Sequence, residues 1–143
     1  MYPKAQIPCI QLSLLRNLDP EKHIALGKAL ASLRKKNILI IGSGMSFHHL
    51  KTFFTHDIDS SRENDAFDQW LIQMYACPEI LSEVREQRLI EWEKAPFARF
   101  CHPREEHLLS LQVCYGIACA DSPIAKVVFN EQIMGKKVTS LLW

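Results

Sequence analysis

The sequence lacks the features that place a protein in a membrane or on nucleic acid. It has no run of about 18 apolar residues, so we expect no transmembrane helix. Its formal net charge is only +1, and its basic residues form no stripe. A surface that binds a phosphate backbone needs such a concentration of positive charge. We therefore expect no membrane and no nucleic acid among its partners.

The sequence also lacks the signs of an oxidising compartment. Its first residues have neither the basic start nor the apolar core of a signal peptide. The five cysteines are scattered and include no Cys-x-x-Cys pair. Because their number is odd, a disulfide framework is not expected. These features predict a cytoplasmic protein whose cysteines are mostly small buried side chains, and no motif supports a nucleophilic role for Cys101.

Familiar catalytic loop motifs are missing as well. The glycine-containing stretch Gly42-Ser43-Gly44 lacks the third glycine of a dinucleotide-binding fingerprint. The sequence contains neither a P-loop lysine nor a Gly-x-Ser-x-Gly nucleophile elbow. Phosphate binding and serine-hydrolase chemistry are therefore not indicated.

The first third of the chain predicts a strand, a helix and a second strand. Residues 38–41 are apolar and mostly β-branched, which is typical of a buried strand in a parallel sheet. Residues 7–13 predict another strand, and Asp19 and Pro20 predict the start of the helix between them. This order indicates a βαβ unit with parallel strands. We expect Gly42-Ser43-Gly44 to end the second strand in a tight turn.

The rest of the chain predicts helices followed by two closing strands. Apolar residues recur at helical spacing in three segments, which are 66–74, 79–93 and the stretch from about 103 onward. A short helix is also expected at 48–54. Residues 125–129 and 137–142 predict two strands joined by a turn around Gly135. With 48% hydrophobic residues, residues 1–143 can form a single domain. We predict an α/β fold with a mixed, largely parallel sheet flanked by helices.

Two histidine clusters are the candidates for chemistry. His48 and His49 follow the glycine stretch, and His102 and His107 flank the start of the late helix. Ligand sites in open α/β sheets lie beyond the carboxyl ends of strands, and histidine there can transfer protons or bind a metal. The spacing of His102 and His107 differs from the His-Glu-x-x-His zinc motif.

A structural interpretation of both clusters is also open. The second cluster can serve as a helix start in which Glu105 and Glu106 complement the helix dipole. A histidine of the first cluster can simply be hydrogen-bonded by the backbone near a strand end. His23, on a polar helix face, and His56, in a polar loop, are expected to be solvated.

Four stretches together resemble one enzyme family. The chain is similar to the C-terminal half of the class III extradiol ring-cleavage dioxygenases (the LigB superfamily), in particular the DOPA-dioxygenase type. The resemblance runs in order along nearly the whole chain and is carried by IPCIQLSL at 7–14, LIIGSGMSFH at 39–48, FDQW at 67–70 and HPREEHLL at 102–109. It implies half of an extradiol dioxygenase fold.

The resemblance also implies roles for single residues. Such enzymes use a non-haem Fe(II), in some cases replaced by Zn(II), to open a catechol ring with O2. His48 would be the acid/base, with metal ligation as its alternative role, and His107 would be a metal ligand. His102, His49 and Ser43 would contact the substrate or orient the groups that do. The family usually has Asn where this chain has His49 and Pro where it has Ser110, which alters the surroundings of His48 and of the helix start.

The half-length of the resemblance leaves three hypotheses. The family's other two metal-binding histidines belong to an N-terminal half that this sequence does not contain. The chain can be one part of a split enzyme whose second chain supplies them, or a catalytically inactive remnant or binding domain. Without the resemblance, the sequence is compatible with a small metal-binding or structural domain. A sheet that lacks half its strands exposes an edge and apolar faces, so we also expect homo-oligomerisation or aggregation.

Overall fold

The helices form most of the regular structure. A computed structural model describes residues 4, 6–53 and 58–143, and the side chains of all of these except 58–60. The α-helices are α1 (Pro20–Leu30), α2 (Leu50–Phe53), α3 (Ile58–Ala76), α4 (Ser82–Ile90), α5 (Ala98–Cys101) and α6 (Glu106–Ala118). Two 3₁₀ segments, Ala31–Lys36 and Trp92–Lys94, extend α1 and α4. Among the helices described, none is long and apolar enough to cross a membrane.

The first helix begins where its sequence predicts. The side chain of Asp19 accepts a hydrogen bond from the backbone N–H of Lys22 at 3.2 Å, and Pro20 is the first helical residue. Helix α1 packs closely against α6. A Cβ on Gly116 would lie 2.2 Å from the carbonyl oxygen of Ile24, so only glycine allows this approach. The two helices form one side of the domain.

A β-hairpin closes the chain, as predicted. Strands β1 (Lys126–Ile133) and β2 (Lys136–Leu142) pair antiparallel. The two residues between them, Met134 and Gly135, have positive φ angles of 52° and 78°. Positive φ at both central positions defines a two-residue turn that suits the twist of a hairpin. The predicted turn around Gly135 is therefore confirmed.

The largely parallel sheet is not confirmed. In the described part of the chain, the sheet consists of β1 and β2 alone. The predicted strands at 7–13 and 38–41 are irregular segments without strand pairing, and the predicted tight turn at 42–44 is not formed. Isolated strands are not stable, because their backbone groups need a neighbour. These two predictions are wrong for the chain by itself, although the mixture of helices and strands agrees with the coarser α/β class.

The unpaired segments expose apolar side chains. Leu39 is 73% exposed, although residues 38–41 were expected to form a buried strand, and Ile10, in the other predicted strand, is 97% exposed. Their exposure leaves apolar side chains on the surface that a neighbouring element would cover.

The core lies between α3, α6 and the loops that join α4 to α6. Its largest fully buried apolar side chains include Phe47, Phe67, Tyr75, Trp92 and Tyr115. A backbone hydrogen bond of 2.7 Å from Ala125 to the carbonyl of Tyr75 ties the hairpin to α3. The predicted late helix starts at Glu106, three residues after Pro103, because 103–105 form bends rather than a first turn.

Candidate functional site

The segment before His48 lies directly on the first turns of α6. An added Cβ on Gly44 would lie 2.1 Å from the carbonyl oxygen of His107. No real side chain can approach a backbone atom so closely, so a residue larger than glycine would push the segment away from the helix. Gly44 therefore allows residues 45–48 to approach His107.

His48 and His107 form the centre of the candidate site. Their imidazole rings are stacked, with centroids 3.5 Å apart and planes only 12° apart. The Nδ1 atom of His107 accepts a hydrogen bond of 3.3 Å from the backbone N–H of Met45. Burial, and secondly the neighbouring His48, lower the pKa of His107. Because Nδ1 accepts the hydrogen bond from Met45, the ring is neutral in this arrangement.

The backbone around His48 is held from two sides. The N–H of His48 donates to the carbonyl of Cys101 at 2.9 Å. Two positions earlier, the hydroxyl of Ser46 accepts a 2.8 Å hydrogen bond from the N–H of Thr139 in β2. The carbonyl of Ser46 accepts one of 2.8 Å from Nε2 of His102. These contacts fix the segment that carries His48, although it has no regular secondary structure.

His102 lies behind the site and not in it. Its side chain is fully buried, with ring centroids 5.3 Å from Phe67 and 6.1 Å from Trp92. Burial is the main reason why its pKa falls to about 4. Because a carbonyl can only accept, Nε2 must carry the proton of this neutral ring. Because its side chain is fully buried, His102 does not border the open side of the site in this conformation.

The burial of His102 predicts a specific loss of stability in acid. Between pH 6.5 and about 4, the unfolded chain takes up a proton at this residue that the folded chain does not. The contribution of His102 to the free energy of unfolding is thus fully present above pH 6.5. About 3 kcal/mol of it is lost as the pH falls toward 4. Urea unfolding at pH 7 and pH 4 should show this loss, and His102→Gln should remove it. An equal pH dependence in both proteins would contradict this origin.

The remaining predicted residues do not join the central pair. The ring of His49 packs edge-on against Phe100 at 5.0 Å, and its Nδ1 is buried without a hydrogen-bond partner among the described residues. Ser43 is exposed at the surface. Of the five site residues, the fold therefore brings two together, His48 and His107.

Two other sequence-based expectations have clear outcomes, and a third falls on a residue that the structure does not describe. His23 is fully buried rather than solvated, since its Nδ1 contacts the carbonyl of Asp19 at 2.6 Å and its Nε2 accepts from the N–H of Leu15 at 3.1 Å. Burial, followed by nearby acidic groups, raises the pKa of Cys101 to about 12. A thiol that stays protonated is a poor nucleophile, which agrees with the absence of a supporting motif. His56 lies outside the described residues.

Sequence reasoning missed the polar residues behind the site. Asp68 is 2% exposed and accepts hydrogen bonds from Thr139 Oγ1 and, at 2.7 Å, from Asn130 Nδ2. The signal was present in the sequence, because Asp68 shares a helical face with Phe67 and Leu71. A carboxyl group on an apolar helix face requires polar partners.

The residues present do not by themselves form a metal centre. A metal ion bound by an imidazole lies near the ring plane, along a nitrogen lone pair. Two nearly parallel rings 3.5 Å apart cannot both direct a lone pair at one ion. The N–H of Met45 also occupies Nδ1 of His107. This contact must break before the ring binds a metal, either through Nδ1 or through Nε2 after its proton has moved to Nδ1. No group of three or more His, Cys, Asp or Glu side chains able to hold a metal occurs in the described ranges.

A large cleft opens beside His107. It has a volume of about 500 Å³ and lies between residues 38–42, α6 and the end of β2. Its walls include the side chains of Ile38, Leu111 and Leu142. The cleft is thus largely apolar and is bordered by an exposed extended segment.

Comparison with known proteins identifies the relatives of this chain. Residues 1–140 match the family described as the catalytic LigB subunit of aromatic ring-opening dioxygenase. A 4,5-DOPA dioxygenase extradiol of Beta vulgaris is 35% identical over 92% of this chain and 47% of its own length. A dioxygenase of Hapsidospora irregularis is 30% identical over 99% of this chain and 45% of its own. The chain therefore spans about half the length of these relatives.

One solved structure has a similar fold. The crystal structure of an uncharacterized protein from Escherichia coli K12 superposes with a TM-score of 0.71 and 24% identity. The match covers 99% of this chain and 56% of that protein. At this level of identity, the likeness concerns the fold alone.

Proposed function

Because this chain belongs to the family of catalytic LigB subunits of aromatic ring-opening dioxygenases, we propose that it is one part of an enzyme that opens catechol-type rings with O2. The observation that carries the proposal is the contact between His48 and His107, 3.5 Å apart. They come from two distant motifs that resemble the family, and the fold brings them together beside an open cleft. A capping cluster at a helix start would not require this contact.

In this proposal, His48 moves protons. Its imidazole is partly exposed, and the hydrogen bond from the Met45 backbone goes to His107 rather than to His48. Ring opening of a catechol requires that a hydroxyl proton be removed and later that a proton be returned. Imidazole suits both steps near neutral pH, because its two protonation states are close in free energy there.

His107 is proposed as this chain's ligand to Fe(II), or to Zn(II) in its place. The metal supplies the binding of the diol and of O2 when it is present. Catalytic sites of this kind normally use three protein ligands, whereas the parallel rings allow at most one of the two histidines to ligate in the observed arrangement. We propose His107 as this one ligand and His48 as the acid/base, as the resemblance implies.

The remaining ligands are proposed to come from a second polypeptide. The chain spans 45–47% of the length of two relatives, and its irregular segments 7–13 and 38–41 pair with no strand in the described part of the chain. A partner strand placed along the exposed Leu39 side of the cleft would pair free backbone groups and cover apolar side chains. Pairing between two copies of this chain would cover the same surface, which makes homo-oligomerisation the competing outcome.

A non-catalytic role is the second candidate. The lack of three metal ligands in the described part of the chain is the observation that favours it. In that case the chain is an inactive remnant, or a small metal-binding or structural interaction domain.

Complementation separates these alternatives. The chain would be expressed alone, together with the part of the Beta vulgaris enzyme that it does not match, and fused to that part. Fe(II) content and oxygen uptake with catechols would be measured. We expect activity only in a complemented form, at least about 10²-fold above the chain alone, and we expect Leu39→Lys to weaken association with the unfused partner.

Each other outcome has a definite meaning. Full activity of the chain alone would overturn the requirement for a second polypeptide. If all forms are inactive while the chain is folded, the enzymatic proposal is wrong and the binding-domain alternative remains. If Leu39→Lys only disperses oligomers of the chain, the exposed surface serves self-association.

A further inference from the structure

We propose that Asp68, Thr139 and His102 are positioning residues that hold His48 against His107 through Ser46. The inference rests on the proposed function for its catalytic meaning, but the contacts that it concerns exist independently of any reaction. None of the three residues is a metal-ligand or acid/base candidate of this chain by geometry. Their common feature is a continuous path of hydrogen bonds that ends at the His48 segment.

The path begins on α3. The buried carboxyl group of Asp68 accepts hydrogen bonds from Thr139 Oγ1 and, at 2.7 Å, from Asn130 Nδ2. Asn130 and Thr139 face each other across the hairpin, and Asn130 Nδ2 also lies 2.7 Å from Thr139 Oγ1. Asp68 thus fixes the hairpin to α3 at Thr139, the position of β2 whose N–H donates to the side chain of Ser46.

The path then reaches the site through Ser46. The backbone N–H of Thr139 donates to Ser46 Oγ at 2.8 Å, and Nε2 of His102 donates to the Ser46 carbonyl at 2.8 Å. Ser46 is therefore held by β2 through its side chain and by the residue after α5 through its backbone. It is 9% exposed, so water cannot easily replace either contact.

The geometry of His48 depends on these anchors because its own segment has no regular structure. Between residue 37 and the start of α2, no helix or strand defines the backbone. A further anchor of this backbone, from the N–H of His48 to the Cys101 carbonyl, also leads to the residue next to His102. A shift of about 1 Å in a catalytic group can lower the rate by about 10²-fold, so loss of an anchor should affect catalysis strongly.

A purely structural role makes a different prediction. In that case, removing one hydrogen bond of the path would lower stability but leave the His48–His107 contact intact in the folded molecules. Gln112 provides a matched control, because it is equally buried and also donates from its side chain to a backbone carbonyl, that of Leu89 at 2.9 Å. Gln112→Met removes a comparable buried hydrogen bond outside the path.

The first experiment observes the stacked rings directly. Nuclear Overhauser contacts between the imidazole C–H groups of His48 and His107 would be measured by NMR on the labelled chain, in a Leu39→Lys background that limits self-association. We expect these contacts to be lost in Ser46→Ala, Asp68→Asn and His102→Met and to persist in Gln112→Met. His102→Gln should retain them, because a glutamine amide can donate to the Ser46 carbonyl in place of Nε2.

The second experiment uses a complemented, active enzyme. His102→Met and Asp68→Asn should lower kcat by about 10²-fold with little change in KM, since neither residue contacts substrate, and His102→Gln should recover most of the rate. Persistence of the ring contacts in His102→Met, or their equal loss in Gln112→Met, would overturn the positioning role. Absence of activity in every complemented form would instead count against the proposed function and leave the NMR result to decide the positioning.

Discussion

Replacing His48 with glutamine is expected to lower kcat for ring opening by about 10²–10⁴-fold in the complemented enzyme, while bound metal is retained. Glutamine keeps much of the size and hydrogen-bonding capacity of the imidazole but cannot take up a proton near pH 7. The stacked arrangement allows only one ring to ligate an ion, and the resemblance to the dioxygenase family assigns that role to His107.

His107→Gln is the matched variant for this test. It should lose both metal and activity, whereas His48→Gln should lose activity alone. Metal content by elemental analysis, together with oxygen uptake, distinguishes the two variants. If His48→Gln loses metal to the same extent as His107→Gln, His48 is a ligand and the acid/base role must belong to another residue.

Replacing Arg85 with methionine is expected to lower the free energy of unfolding by about 3 kcal/mol. The Arg85 side chain is fully buried in α4 and donates to carbonyls at the end of α3 and in the following loop. Its guanidinium contacts the carbonyls of Met74, of Cys77 at 2.5 Å and of Ile80 at 3.2 Å. Methionine fills a similar length but leaves these carbonyls without their donor.

The magnitude depends on two opposing terms. Hydrogen bonds from a charged group contribute about 1.5–3 kcal/mol each, while burying the charge costs several kcal/mol. The negative end of the α3 dipole favours the cation and reduces this cost. We therefore expect the favourable free energy of these hydrogen bonds to exceed the cost of burying the charge. Urea unfolding of Arg85→Met measures the difference, and Arg88→Met, on an exposed position of the same helix, should change stability by no more than about 0.5 kcal/mol. A change below about 1 kcal/mol for Arg85→Met would mean that desolvation cancels the hydrogen bonds.

Local features of the fold could be predicted from the sequence because they depend on neighbouring residues. The Asp19 cap contacts a residue three positions away, and the hairpin turn depends on the φ angles of Met134 and Gly135. The two strands beside that turn pair with each other. By contrast, 38–41 has the composition of a buried strand, but no neighbouring strand in the described structure pairs with it. Composition predicts what a segment can form, whereas the availability of a partner decides whether it forms.

The candidate site divides in the same way. The sequence by itself determined that two histidine motifs are present in the order of the family, and it singled out His48 and His107. The tertiary structure alone decided that these rings stack, that His102 lies in the core and that Asp68 connects to the site. The contacts responsible join residues far apart in the chain: 62 positions separate Met45 from His107, and 93 separate Ser46 from Thr139. Hydrogen bonds over such separations are set by how helices and the hairpin pack, which local sequence patterns do not specify.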